Sequence, residues 1–194
     1  MARDAEMLAE GSIAVRLYTW ESPWVTLGRF QKPERSVTGL VPWTSRPTGG
    51  KAVLHGHDVV VAVVMPVKER VALAEIYALC VEPMLQAMKE CGVYASFAQA
   101  GKTETAGPNC FSAKGAFDIV DETGRKIAGC ALRITERAAL LQGSLPISPP
   151  LIAPSSAIQE ADDTVYVPDY TADVIQVLRE AYQNRFSTIF QKSD

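Results

Sequence analysis

Two residues of this chain have types and spacing suited to group transfer. Cys110 lies in the turn-rich stretch Gly107-Pro108-Asn109-Cys110-Phe111, and Lys126 in Gly124-Arg125-Lys126-Ile127-Ala128-Gly129. A thiolate rather than a thiol is the nucleophile, and a nearby ammonium favours the thiolate. Sixteen residues separate the two positions, a distance that two strands and a turn fold back on itself. Taken alone, the pair reads more simply as a small loop residue and a solvated strand charge. A second segment, Arg46-Pro47-Thr48-Gly49-Gly50-Lys51-Ala52-Val53-Leu54-His55, supplies what such a pair would need to work on a ligand. Its paired glycines let backbone amides approach a bound group closely, with Arg46 and Lys51 flanking them and His55 on the strand that follows. Alternation puts His57 on the face of His55 if that strand continues. The segment is no phosphate loop: Ser45 stands where the first glycine of that motif belongs, and Ala52 where its hydroxyl belongs. A plain turn with a lone strand histidine is the competing reading.

The elements that must position these residues are legible in outline. Residues 2–10 read as a short helix stopped by Gly11, 13–20 as an alternating strand, 25–30 as a second strand and 31–39 as a loop. A brief strand is expected over 40–44, before the irregular Arg46–Lys51 segment. Asp58 to Met65 is apolar on both faces, which marks a central strand ended by Pro66. The main helix is expected over 69–91: Leu73, Ile76, Tyr77, Cys80, Met84 and Met88 recur at helical spacing and Gly92 stops it. A strand over 93–98 and a polar loop over 101–109 lead to a hairpin, 116–120 with 126–134, about Asp121-Glu122-Thr123-Gly124. On the Lys126 strand, alternation gives Ala128 and Cys130 the face of Lys126. A further strand over 138–145, a proline-rich break over 146–154 and an amphipathic helix over 170–186 close the chain. Strands with a long helix inserted between them predict α+β, with mixed, mainly antiparallel sheets flanked by helices.

Composition narrows the function. The 194 residues suit one domain, expected over 1–194 with no accessory domain. A net charge of −3 gives no basic face for nucleic acid or for an acidic membrane surface. No apolar run approaches the ~20 residues of a spanning helix, and residues 1–6 lack the pattern of a signal peptide. Four cysteines without a Cys-x-x-Cys pair, beside two histidines, give no zinc pattern and suit a reduced, cytoplasmic protein.

Together the two segments resemble the lipoate/octanoate transfer family: octanoyltransferases and lipoate–protein ligases, related in fold to biotin protein ligases. Arg46–His55 is similar to its glycine-rich acyl-pocket motif and Gly124–Gly129 to its lysine motif. Arg16-Leu17-Tyr18-Thr19-Trp20, Leu27-Gly28-Arg29-Phe30-Gln31, Leu140-Leu141-Gln142-Gly143-Ser144-Leu145, Ala2 and Asp4 also match, in the family's order. The resemblance implies a biotin/lipoate protein ligase-like catalytic domain. It implies Cys110 as the nucleophile and Lys126 as the group that favours its thiolate. The acyl pocket would be formed by Arg46, Thr48, Gly49, Gly50, Lys51, Ala52 and His55, with amides of the glycine segment or around Gly129 facing an oxyanion. The implied reaction moves an octanoyl or lipoyl group from an acyl carrier protein to the lysine of a lipoyl domain, with Lys126 taking up the acceptor's proton. No cofactor is required for that transfer. Two alternatives stand beside it: an ATP-dependent lipoate or biotin ligase in which Lys126 meets the carboxylate and adenylate phosphate, and a non-catalytic relative that binds an acyl group or a partner.

Overall fold

The computed structural model describes residues 1–67, 71–98, 107–111 and 114–191, with the last four of these described by their backbone alone. The expected starts of the main helix at 69 and of the polar loop at 101 lie outside the described residues.

The valine run forms β5 (Asp58–Pro66), second in a six-stranded antiparallel sheet ordered β1-β5-β9-β8-β7-β6. Its neighbours are β1 (Ala14–Thr19) and β9 (Ala138–Pro146), and β8 (Lys126–Ile134), β7 (Ile119–Val120) and β6 (Ser96–Phe97) complete the sheet. A smaller sheet joins β2 (Trp24–Leu27) to β3 (Trp43–Ser45) in parallel and to β4 (Val53–His55) antiparallel. The fold is therefore α+β with mainly antiparallel sheets, as the sequence predicts.

Alternation along the strands sorts two layers. Val59, Val61, Val63, Leu141 and Leu145 face α2 (Leu73–Glu90) and the last helix, α3 (Val174–Gln191), with Ile76, Cys80, Met84, Met88, Leu178 and Tyr182 fully or almost fully buried against them. Each large apolar side chain buried in this way contributes about 1.5–3 kcal/mol. The even-numbered positions Ala62, Val64, Ala138 and Leu140 meet Met7 and Leu8 of α1 (Ala2–Glu10) on the opposite face. That second face, beyond the reach of α1, carries the site.

Several boundaries differ from the sequence reading. The brief strand is Trp43–Ser45 rather than 40–44, and the strand expected over 93–98 pairs only at Ser96–Phe97. The last helix begins at Val174, because Asp173 accepts hydrogen bonds from the amides of Ile175 and Gln176 and so caps it there. Leu73, expected in the apolar stripe of α2, is 48% exposed. Among the described residues, no helix is long and apolar enough to cross a membrane.

Candidate acyl-transfer site

Cys110 and Lys126 meet. Lys126 Nζ donates to Cys110 Sγ at 3.3 Å and to the Cys110 carbonyl at 2.8 Å. Two features of the backbone produce this. The hairpin turns at Asp121, whose carboxylate accepts from the amides of Thr123 and Arg125, and it returns the chain at Lys126. Between β7 and β8 the register shifts: Ile119 pairs with Ala128 but Val120 pairs with Lys126, so Ile127 is the extra residue of a bulge.

That bulge corrects the alternation argument. It reverses the facing of Lys126 relative to the rest of β8, so the lysine lies over Gly129 rather than on the face of Ala128 and Cys130. A β-carbon at Gly129 would stand 3.2 Å from Cys110 Sγ and 3.3 Å from Lys126 Cε. Gly129 thus contributes the space in which the pair sits. Cys130 points to the other face, where its sulfur adjoins Gly143.

The glycine segment is stitched to the cysteine loop. Ala52 donates its amide to the Pro108 carbonyl at 2.8 Å, and its carbonyl accepts the Cys110 amide at 2.8 Å. Gln31 ties in a third segment by donating to the Pro108 carbonyl while accepting from the Gly28 amide. Between these segments and the sheet lies a pocket, and Cys110, Gly129, Ala131, Val53, Val60 and Gly50 are among its lining residues.

Arg46 lines the pocket with its guanidinium already engaged by backbone carbonyls. Its guanidinium donates to the carbonyls of Thr26, Gly49 and Lys51, at 3.1, 2.7 and 2.7 Å, and it is 7% exposed. Burial lowers its pKa, against the pull of Cys110. It is the staple that shapes the glycine turn. Lys51 contributes its carbonyl to that staple and is half-buried. Thr48 is fully buried and donates to Gln142 Oε1 at 2.7 Å, while Gln142 donates to Asp4 at 2.6 Å.

The two glycines are unequal. Gly50 lines the pocket at φ 85°, and a β-carbon there would meet Arg46 Nη2 at 2.9 Å; one at Gly49 would meet nothing within 4 Å. Among the described glycines the strictest is Gly28, where a β-carbon would fall 2.0 Å from the Gly50 carbonyl oxygen.

His55 and His57 do not share a strand. Gly56, at φ 108°, ends β4, and β5 of the larger sheet begins at Asp58. His55 lines the pocket inside a buried relay: its Nε2 lies 2.8 Å from Thr26 Oγ1 and its Nδ1 lies 2.7 Å from Asp58 Oδ2, which also accepts from Ser144. Burial works against the Asp58 charge, but His55 and the Ser144 hydroxyl outweigh it and hold its carboxyl below the usual range.

The lipoyl protein ligase A/B catalytic domain matches residues 4–187. The chain belongs to this family. Curated relatives include the octanoyltransferase LipM of Exiguobacterium sp., 29% identical over 162 residues, which make up 74% of this chain and 58% of that protein. LipM of Carboxydothermus hydrogenoformans is 31% identical over 145 residues (68% and 54%), and LipM of Geobacillus kaustophilus is 32% identical over 168 residues (75% and 59%). The chain thus spans a little over half the length of these relatives. Among solved structures, it is similar in fold to Ta0514 from T. acidophilum, a lipoate protein ligase by description, with lipoic acid bound. That match has a TM-score of 0.74 at 19% identity, covering 96% of this chain and 79% of that one. A lipoate-protein ligase A bound with ATP matches with a TM-score of 0.71 at 20% identity, covering 98% and 79%.

One polar residue of this lipoyl protein ligase fold escaped the sequence reading, and it bears directly on the cysteine–lysine pair. Asp118 Oδ2 lies 2.7 Å from Lys126 Nζ, with both side chains at least nine-tenths buried. The signal was available: Asp118 is an acidic residue among the apolar positions 116–120, expected as a strand, and the hairpin returns from there to a lysine; the structure pairs only Ile119–Val120 as β7 and leaves Asp118 just before it. Burial opposes the Lys126 charge, but Cys110 and Asp118 outweigh it and hold the lysine above its ordinary range. The 2.7 Å pairing with Asp118 favours the ammonium form of Lys126, and an ammonium has no lone pair with which to take up the acceptor's proton.

Proposed function

We propose that this chain is a cysteine-dependent acyltransferase that moves an octanoyl or lipoyl group from a carrier-protein thioester to the lysine of a lipoyl domain. The observation that carries the reading is the 3.3 Å contact of the Lys126 ammonium with Cys110 Sγ at a pocket. The LipM relatives support the octanoyl group by their names. A solved bipartite lipoate protein ligase from Thermoplasma acidophilum, described with its E2 lipoyl domain, supports the acceptor class.

In the first step the Cys110 thiolate attacks the thioester carbonyl, the C–S bond to the carrier breaks, and the carrier thiolate leaves to be protonated by solvent. In the second step the neutral amine of the acceptor attacks the acyl-cysteine. The bond to Cys110 then breaks, and the sulfur leaves as a thiolate beside the Lys126 ammonium. The amine's proton goes to solvent. The transfer takes no cofactor and the protein works in the cytoplasm, with neither nucleic acid nor membrane as a partner.

Intact mass spectrometry after incubation with octanoyl carrier protein, without ATP, tests the reading. An octanoyl adduct released by neutral hydroxylamine is expected. It should be absent from Cys110→Ala and present in Cys80→Ala, Cys91→Ala and Cys130→Ala. Loading that needs ATP and free octanoate, and proceeds equally in Cys110→Ala, would make the chain a ligase instead. A solved neighbour with ATP bound keeps that second reading in play.

A further inference from the structure

We propose that Asp118 is a positioning residue that holds the Lys126 ammonium against Cys110 and retains it there after the sulfur has been acylated. The inference rests on the acyl-cysteine reading above and adds a third member to the pair.

The geometry is that of a braced cation. Asp118 Oδ2 accepts from Lys126 Nζ at 2.7 Å and from the Gly115 amide at 2.7 Å, and Oδ1 accepts from the Cys130 amide at 3.3 Å. Two backbone amides therefore fix the carboxylate, and the carboxylate fixes the ammonium. With one N–H directed to Asp118 and another to the Cys110 carbonyl, the ammonium is oriented to present a donor to Cys110 Sγ at 3.3 Å. Around this cluster stand Cys110 from its loop, the Phe111 ring, whose centroid is 5.3 Å from Nζ, and Tyr77 of α2, which feels the Asp118 charge; Cys130, on the other face of β8, feels both Asp118 and Lys126. Arg46 also feels the Cys110 charge.

Charge bookkeeping separates the two half-reactions. Before loading, a thiolate and a carboxylate both face Lys126. Acylation turns the thiolate into a neutral thioester, and among the described residues paired with Lys126 the Asp118 carboxylate keeps its negative charge. A lysine this buried loses its proton readily when counter-charge is removed. The leaving thiolate of the second step needs the ammonium in place, so Asp118 matters more for release of the acyl group than for its capture.

Two measurements on the full chain test this. In the first, Cys110 is capped with iodoacetamide, a neutral thioether in place of the acyl group, and the Lys126 side-chain NMR signal is titrated, assigned by its loss in Lys126→Arg. The capped wild type should keep Lys126 protonated to at least about one pH unit above capped Asp118→Asn. Equal titration in the two proteins overturns the proposal, whatever the protein's activity. In the second, loading and chase to a lipoyl domain are timed separately. Asp118→Asn should slow the chase at least about tenfold more than it slows loading. Equal slowing of both steps points to a merely structural role and overturns the proposal. A wild type that never loads removes the acyltransferase reading while the NMR result still decides this one. If Asp118→Asn does not fold, Asp118→Ser is titrated in its place.

Discussion

At the scale of single residues, the site depends on which positions lack a side chain and which are buried without charge. Gly28 and Gly49 make a clear contrast. Gly28→Ala forces a β-carbon to 2.0 Å from the Gly50 carbonyl oxygen, whereas Gly49→Ala meets nothing within 4 Å. Urea denaturation should show Gly28→Ala destabilised by about 1–3 kcal/mol or more and Gly49→Ala near wild type. Equal losses would mean that the glycine turn relaxes freely. His57 gives a pH prediction. Burial lowers its pKa, Asp58 pulls it back up, and His55 pushes it further down; its Nδ1 has no hydrogen-bond partner among the described residues. Between that lowered value and the ordinary ~6.5 the unfolded chain binds more protons than the folded one. The contribution is fully present above ~6.5 and is lost as pH falls through the window. The Asp58 carboxyl, held low, loses its contribution only below ~3.9, in a separate range. The melting temperature should fall between pH 7.5 and 5.5, and His57→Gln should flatten that fall. An unchanged slope in His57→Gln would assign the effect elsewhere.

At the scale of elements, α1 is coupled to the glycine segment through the sheet. Asp4 is fully buried and accepts from Arg16 at 2.8 Å, Tyr18 at 2.9 Å and Gln142 at 2.6 Å, and Gln142 in turn accepts from Thr48. A helix, two strands and the pocket loop thus share one polar network, in which each buried partner leaves another unsatisfied when removed. A double-mutant cycle of Asp4→Ala and Thr48→Val should show a coupling of about 0.5–3 kcal/mol, and the same cycle in a Gln142→Leu background should lose it. Additive losses in the wild-type background would show that α1 and the loop are independent.

At the scale of the whole molecule, the fold divides its cysteines by layer. Cys80 and Cys91 are fully buried in the helix layer, and burial pushes the Cys80 thiol up to about 12 and the Cys91 thiol upward. Burial also raises Cys130, on the same side of the sheet. Cys110 alone among the four lies in the site loop beside a cation. Brief treatment of the native protein with iodoacetamide should therefore add one group, at Cys110. In denaturant all four cysteines should react, so the adduct count reports unfolding. Native labelling at Cys130 ahead of Cys110 would contradict this division.

The sequence by itself determined the features that depend on neighbours along the chain. The valine run at 58–65, the helical spacing from Ile76 to Met88 and the stops at Gly11 and Gly92 each follow from periodicity or backbone freedom within a few residues. The same is true of the hairpin that brings Lys126 back towards Cys110. Only the tertiary structure decided the rest, because those features are set by contacts between distant segments that leave no local periodicity. The bulge at Ile127 turns Lys126 to the face of Gly129, and a register shift of one residue reverses what alternation predicts. Arg46 spends its guanidinium on backbone carbonyls because the glycine turn folds around it. Gly28 outranks Gly49 because β2 runs against the loop. Asp118 becomes part of the site because hairpin and bulge together bring a carboxylate and an ammonium into the same dry space, where neither charge would persist alone.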